Sequence, residues 1–404
     1  MGKKSILNLT FFNLVLVVFF TIETNYDWGH NRFLHWGCVA LLLVAYIFKD
    51  GGVLDLKFRD YSWWMLGILI LSVISFIYTI NLSNSISMFK TLVIVFVSFF
   101  IIRNYMTDTE KINDVLNSYI IAAAINMLYV ITNIDMTLIG EVRLGTEAME
   151  GWNANTMGIM AVVGAVLCIY MFSRNRDILS KFVYGALIAF FVYMFIYTGS
   201  RKAIIMFLLC VILMLFFSNP KAVIRNLLIT VIILYAAYYI CMNVESIYNV
   251  LGVRLEGLFA SITGEGEVDS STMKRQLYIE NGIQWIKASP IIGYGLDGYR
   301  TMNGIATGEA TYSHNNFVEI AINWGIIGFI YYYSIFVYGL KNIFSKTKGN
   351  LLAITVTSLI IVHTALHYGM VTYYEIFPNL IICVLCALAN VNENKNERKS
   401  ESDD

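Results

Sequence analysis

SHNNFVEIAINWGIIGFIYYYSIFVYGL, residues 313–340, decides how the rest of the chain is read. Ser313-His314-Asn315-Asn316 ends a long polar stretch. The apolar segment Phe317–Leu340 follows it and is long enough to cross a hydrocarbon core of about 30 Å as a helix. A histidine therefore stands where the chain enters a membrane helix. An imidazole placed there exchanges protons with water while it faces a lipid-borne substrate.

Outward from this stretch, apolar runs of the same kind recur over nearly the whole chain. Hydrophobic residues make up 58%, aromatics 15% and charged residues 14%, against roughly 25% charged in soluble domains. Lys plus Arg and Asp plus Glu are equal at 28 each, so the clustered positive charge that nucleic-acid binding needs is absent. The pattern predicts an all-α polytopic membrane protein. Twelve spans are expected, near residues 5–22, 33–48, 62–80, 86–102, 112–132, 156–172, 182–198, 203–218, 224–242, 317–340, 350–367 and 372–390. The first follows Lys3-Lys4 without a small-residue cleavage site and reads as an uncleaved span. Helices are the expectation because backbone groups in hydrocarbon must be satisfied within their own segment.

On this threading, residues 1–390 form a single integral membrane domain and 391–404 a charged, disordered tail. Eighteen Lys and Arg residues fall on the side of the two termini. The short loops of the other side hold four: Arg32, Arg143, Arg201 and Lys202. Cytoplasmic loops carry the excess of such residues, so both termini are expected to be cytoplasmic. The large extracytoplasmic loop, 243–316 between spans nine and ten, is too long for a connector. Ile247–Ile262 reads as an amphipathic helix, Gly264-Glu265-Gly266-Glu267 as a flexible link, and Met273–Ala288 as a second helix stopped by Pro290. Such helices lie at the interface and cover a cavity.

Several polar groups stand out. The hairpin Thr198-Gly199-Ser200-Arg201-Lys202 puts two cations on the side the orientation rule disfavours. Arginine grips phosphate oxygens with two parallel bonds, but both side chains could equally snorkel to headgroups. Lys274-Arg275 opens the second loop helix with Tyr278 one turn on, and either a solvated face or an anion site fits. His314 reads as a general base or as a polar residue at a helix start capped by Asn315 or Asn316. Gly325 and Gly328 read as close-packing positions between helices. Lys90 is a charge inside a span, functional or snorkelling. His363 and His367, four apart with Glu375 nearby, have spacing a metal could use, but a polar patch lining a water-filled vestibule is the preferred reading. Gly293-x-Gly295-x-x-Gly298 lacks the strand context of a dinucleotide fingerprint and is read as a tight turn. Asp135, Glu141, Glu147 and Glu150 mark a solvated acidic loop. The six cysteines lie in or beside apolar runs, Cys383-x-x-Cys386 included, and behave as small hydrophobes rather than a disulfide framework.

Taken together these residues resemble the O-antigen polymerase and ligase superfamily, bacterial membrane glycosyltransferases of the Wzy and WaaL types. Its hallmark is His followed by Asn, Ser or Gln, nine residues, Gly, two residues, then Gly, Thr or Tyr. His314-Asn315, Gly325 and Gly328 fit it. Arg201 is similar to the family's first outer arginine. Arg275, ahead of Ser289-Pro290-Ile291-Ile292-Gly293-Tyr294-Gly295, is similar to the second, and Asn153-Ala154-Asn155 to a further recurring element. The resemblance implies catalytic roles for His314, Arg201 and Arg275; the residues beside them, Asn315, Lys274, Lys202 and Tyr278, together with Lys90, are expected to bind substrate. It implies a donor glycan on undecaprenyl diphosphate, polymerised into capsule, exopolysaccharide or O-antigen by inverting transfer without metal or other cofactor. The setting would be the bacterial cytoplasmic membrane, with membrane lipids, a chain-length regulator and a flippase as partners. An O-antigen ligase acting on lipid A-core is the alternative within the family, and a precursor transporter or flippase the alternative outside it. Against the transporter, no internal repeat is visible.

Overall fold

The computed structural model describes residues 10–29, 31–49, 55–145, 148–263 and 270–391. The start of the first expected span, Glu147, the link Gly264–Glu267 and the tail Asn392–Asp404 lie outside them. The described chain is helical, and a single isolated bridge, Ile139 to Val142, is the β pairing found among the described residues.

The bundle consists of α1 (Phe11–Thr24), α2 (Arg32–Phe48), α3 (Asp60–Ser75), α4 (Leu82–Tyr105), α5 (Thr109–Asn133), α6 (Ala154–Arg174), α7 (Ile178–Tyr197), α8 (Arg201–Ser218) and α9 (Val223–Asn243). The long loop adds α10 (Val253–Thr263), α11 (Ser270–Ala288) and α12 (Gly298–Thr307). The chain then returns to the bundle through α13 (Asn316–Ile343), α14 (Leu351–Leu366) and α15 (Ile376–Asn390). Each expected span coincides with one bundle helix. Among the described residues eight helices are long and apolar enough to cross a membrane, and four apolar helices (those beginning at Phe11, Phe33, Asp60 and Ile376) are shorter. This is a polytopic all-helical membrane protein. The third run ends early, at Ser75 rather than residue 80, because Phe76–Tyr78 turn and Asn81 starts the next helix by accepting a bond from Asn84 N at 3.2 Å.

The starts are set by polar side chains just before each apolar run. Asp108 accepts from Glu110 N and Lys111 N, Asp177 from Ser180 N, and Asn350 from Ala353 N. Each satisfies donors that the first turn cannot pair internally. α6 is the most enclosed span and packs against α5, α7, α8 and α14; α9 is the least enclosed. The loop helices fold back on the bundle. A π-helical turn, Tyr248–Gly252, buries Val250 and Leu251 against Ile204 and Cys241, while α11 lays Tyr278 beside Val318 and Ile322 of α13. The approach is close enough that a Cβ on Gly282 would overlap Val318.

Candidate active site

His314 has φ 56°, a left-handed backbone that strains a residue with a Cβ by about 1–2 kcal/mol. The turn around it is bonded on both sides. Ser313 Oγ donates to Asn315 O at 2.8 Å, and Asn315 N–H donates back to Ser313 Oγ at 3.2 Å. Asn315 then caps α13, accepting from Phe317 N at 2.9 Å and Val318 N at 3.1 Å. The imidazole lies between two tyrosines. Tyr278 is nearly parallel to it with centroids 6.1 Å apart, and Tyr312 is tilted at 4.3 Å. Among the described residues its ring nitrogens make no hydrogen bond. Burial, then the charges of Arg275 and Lys202, pull its pKa down to about 4. The ring is neutral at neutral pH, with one nitrogen available to accept a proton.

Arg201 and Lys202 reach the same end from the α7–α8 hairpin. Gly199 turns the chain with φ 58°, and a Cβ there would overlap Val250 O. Ser200 caps α8 and donates to Asn155 Oδ1 at 3.0 Å, so the Asn153-Ala154-Asn155 element anchors the hairpin to α6. Arg201, 9% exposed, donates to Arg254 O at 3.3 Å and Thr272 Oγ1 at 3.4 Å, which ties the hairpin to α10 and α11. Lys202 donates to Gly369 O, beyond α14. Arg275, one turn after Thr272 on α11, acts electrostatically on both Lys202 and His314. The cations of two distant segments and the imidazole of a third thus share one field.

Residues 186–333 match the family described as O-antigen ligase. Over this segment the chain is similar to that family, which supports the resemblance to the O-antigen polymerase and ligase superfamily. The matched segment runs from α7 through the hairpin and long loop into α13, and so includes Arg201, Lys202, Arg275, His314 and both motif glycines. A comparison with curated proteins finds no match.

The superfamily spacing from His-Asn to Gly has a structural reason here, and it differs from the expected packing between helices. Gly325 breaks α13 with φ 63° and ψ −162°. The segment Pro290–Gly295 docks into the break: Tyr294 N donates to Ile322 O at 2.7 Å, Gly295 N to Asn323 O at 3.1 Å, and Ile326 N to Pro290 O at 2.8 Å. The loop thereby satisfies the backbone groups that the broken helix releases. A Cβ on Gly325 would collide with Ile291 O, and one on Gly293 with Ile322 O. Gly328 is needed because a side chain there would overlap Trp324.

The remaining candidates divide. Tyr278 does not offer its hydroxyl to the space around His314; it donates to Glu309, and the ring alone faces the imidazole. Lys274 pairs with the same Glu309 at 2.7 Å, and these two bonds hold that carboxyl below the usual carboxylate range. Lys90 sits on an exposed face of α4, and among the described residues no hydrogen bond or ion pair joins it to the His314 group. His363 and His367 are fully buried, so they line no vestibule. His367 Nδ1 shares a hydrogen bond with Tyr333 OH (3.1 Å) and Nε2 with Thr372 Oγ1 (3.0 Å). Asn316 closes the circuit: it donates to Tyr333 OH at 3.1 Å and accepts from Thr372 N at 2.9 Å. This ring of four side chains supports the first turn of α13 from below. Among the described residues no group of three His, Cys, Asp or Glu side chains is placed to hold a metal ion. Sequence reasoning missed Tyr312 and the buried Glu319. A carboxylate inside an apolar run was the available signal for the second.

Proposed function

We propose that this protein polymerises undecaprenyl-diphosphate-linked oligosaccharide repeat units into a capsular polysaccharide, exopolysaccharide or O-antigen. The observation that carries the reading is His314, a neutral imidazole with open nitrogens in the field of Lys202 and Arg275. A proton acceptor surrounded by cations suits a reaction that takes a proton from a hydroxyl and releases an anion. The Lys and Arg distribution along the chain supports placing this end on the outer face of the cytoplasmic membrane.

In this mechanism one His314 ring nitrogen accepts the proton of an acceptor sugar hydroxyl. The hydroxyl oxygen bonds to the anomeric carbon of the donor while that carbon's bond to the diphosphate oxygen breaks, which inverts the configuration. The electron pair leaves with undecaprenyl diphosphate. Arg201, Lys202 and Arg275 bind that group and stabilise the charge it gains. The energy comes from the bond that is broken, and Asn315 contributes by holding the turn.

Purified lipid-linked repeat units incubated with the protein in detergent, with chelator, test the reading. New glycosidic bonds and a ladder of products are expected, and His314→Ala should leave single units. Substrate crossing the membrane without a new bond would favour a transporter. Transfer to lipid A-core without a ladder would favour a ligase, which the same site geometry accommodates.

A further inference from the structure

The strain at His314 requires a fixed partner. A residue held at positive φ persists when its surroundings over-determine it. The Ser313–Asn315 bonds are local and would travel with the turn if it relaxed. On the far side, Asn315 is held by its cap bonds to Phe317 N and Val318 N; the residue before His314 is tied to α13 by a side chain, Ser313 N–H donating to Glu319 Oε2 at 2.9 Å. Glu319 is 1% exposed, at the end of the first turn of the helix, where a buried carboxylate is costly unless hydrogen-bonded. Glu319 N also donates to Asn315 O at 2.9 Å, so backbone and side chain of one residue close on both flanks of His314. The Asp297–Arg300 pair, 3.2 Å apart, faces the same carboxylate from the segment that docks below.

We propose that Glu319 is the positioning residue of this site. By holding the Ser313 amide it keeps His314 in the left-handed conformation, and so keeps the imidazole turned between Tyr278 and Tyr312 toward Lys202 and Arg275. The inference rests on His314 being the group that takes the acceptor proton. It assigns the carboxylate a hydrogen-bond role and no part in the chemistry, since Glu319 touches the turn and not the open ring nitrogens.

The test is steady-state turnover of lipid-linked repeat units by purified E319A, E319Q and H314A, each checked for folding by thermal unfolding in detergent. In E319A kcat should fall on the order of a hundredfold, the scale of a misplaced catalytic group, with the donor KM unchanged. E319Q, whose amide oxygen still accepts from Ser313 N–H, should recover most of that loss. Full turnover in E319A overturns the proposal. So does a folded E319Q as inactive as E319A, because the charge rather than the bond would then matter. If E319A does not fold, E319Q decides alone: active supports, inactive overturns. Wild-type turnover in H314A instead removes the reading of the site on which this one rests.

Discussion

At the end of the bundle remote from His314, Arg103 donates to Asp60 at 3.0 Å, with the two side chains only 3% and 10% exposed. Lys346 donates there to three carbonyls at the end of α15, Leu388, Ala389 and Val391, at 2.8–3.1 Å. At the His314 end Lys202 reaches a single carbonyl, and the imidazole finds no hydrogen bond among the described residues. Both ends bury charge or titratable groups, but Arg103 and Lys346 are held by several acceptors, whereas Lys202 and His314 keep hydrogen-bonding capacity. A saturated group joins helices; one with spare capacity can receive a ligand. The contrast separates stability from function residue by residue.

The comparison can be broken from either side, and the largest effect is expected at the saturated end. Asp60→Ala leaves Arg103 buried without its carboxylate, a loss of about 3–5 kcal/mol. Thermal unfolding in detergent should register it while turnover per folded molecule stays at the wild-type level; a matching loss of turnover would erase the distinction. At the other end, Arg201→Lys keeps the charge and removes the planar fork. Turnover should fall about 10²–10³-fold, the scale of one lost transition-state donor, while unfolding shifts by only about 1 kcal/mol for each lost bond to Arg254 O and Thr272 Oγ1. Wild-type turnover there would remove Arg201 from the site.

A pH profile sharpens the same contrast. His314 is held at about 4 by burial first and then by Arg275 and Lys202. A bound diphosphate offsets the two cations but not the burial, so the pKa rises part of the way back. The base works when deprotonated, so activity is lost as pH falls through that pKa. The acid limb of kcat, which reports the donor complex, should therefore lie at higher pH than that of kcat/KM, which reports the free enzyme. Coincident limbs would mean that no anion binds beside His314. The smallest effects are expected from Lys346→Ala, about 1 kcal/mol through its helix end, and from Tyr278→Phe, which loses the Glu309 bond but keeps the ring against His314. A large fall in turnover for Tyr278→Phe would show that the hydroxyl, and not the ring, acts at the site.

The glycines show where sequence reading stops. Gly325 and Gly328 were visible as a spacing, but their cause is a collision with Ile291 O and an overlap with Trp324. The first involves a segment more than thirty residues upstream. Lys274 and Arg275 are neighbours in the chain, yet one pairs with Glu309 and the other acts on His314, because adjacent helical residues point about 100° apart. The His363–His367 spacing suggested an open polar patch. Burial and the circuit through Asn316, Tyr333 and Thr372 make it a brace.

By itself the sequence determined the bundle helices, their order and the superfamily motifs, but not the loop helix Gly298–Thr307. Apolar length and capping residues are local properties, and hydrocarbon allows a single chain few ways to satisfy its backbone. The tertiary structure decided which cations share a field with His314, where α13 breaks and which buried polar groups brace the turn. Those outcomes depend on loop segments docking across distances in the chain that no local pattern encodes.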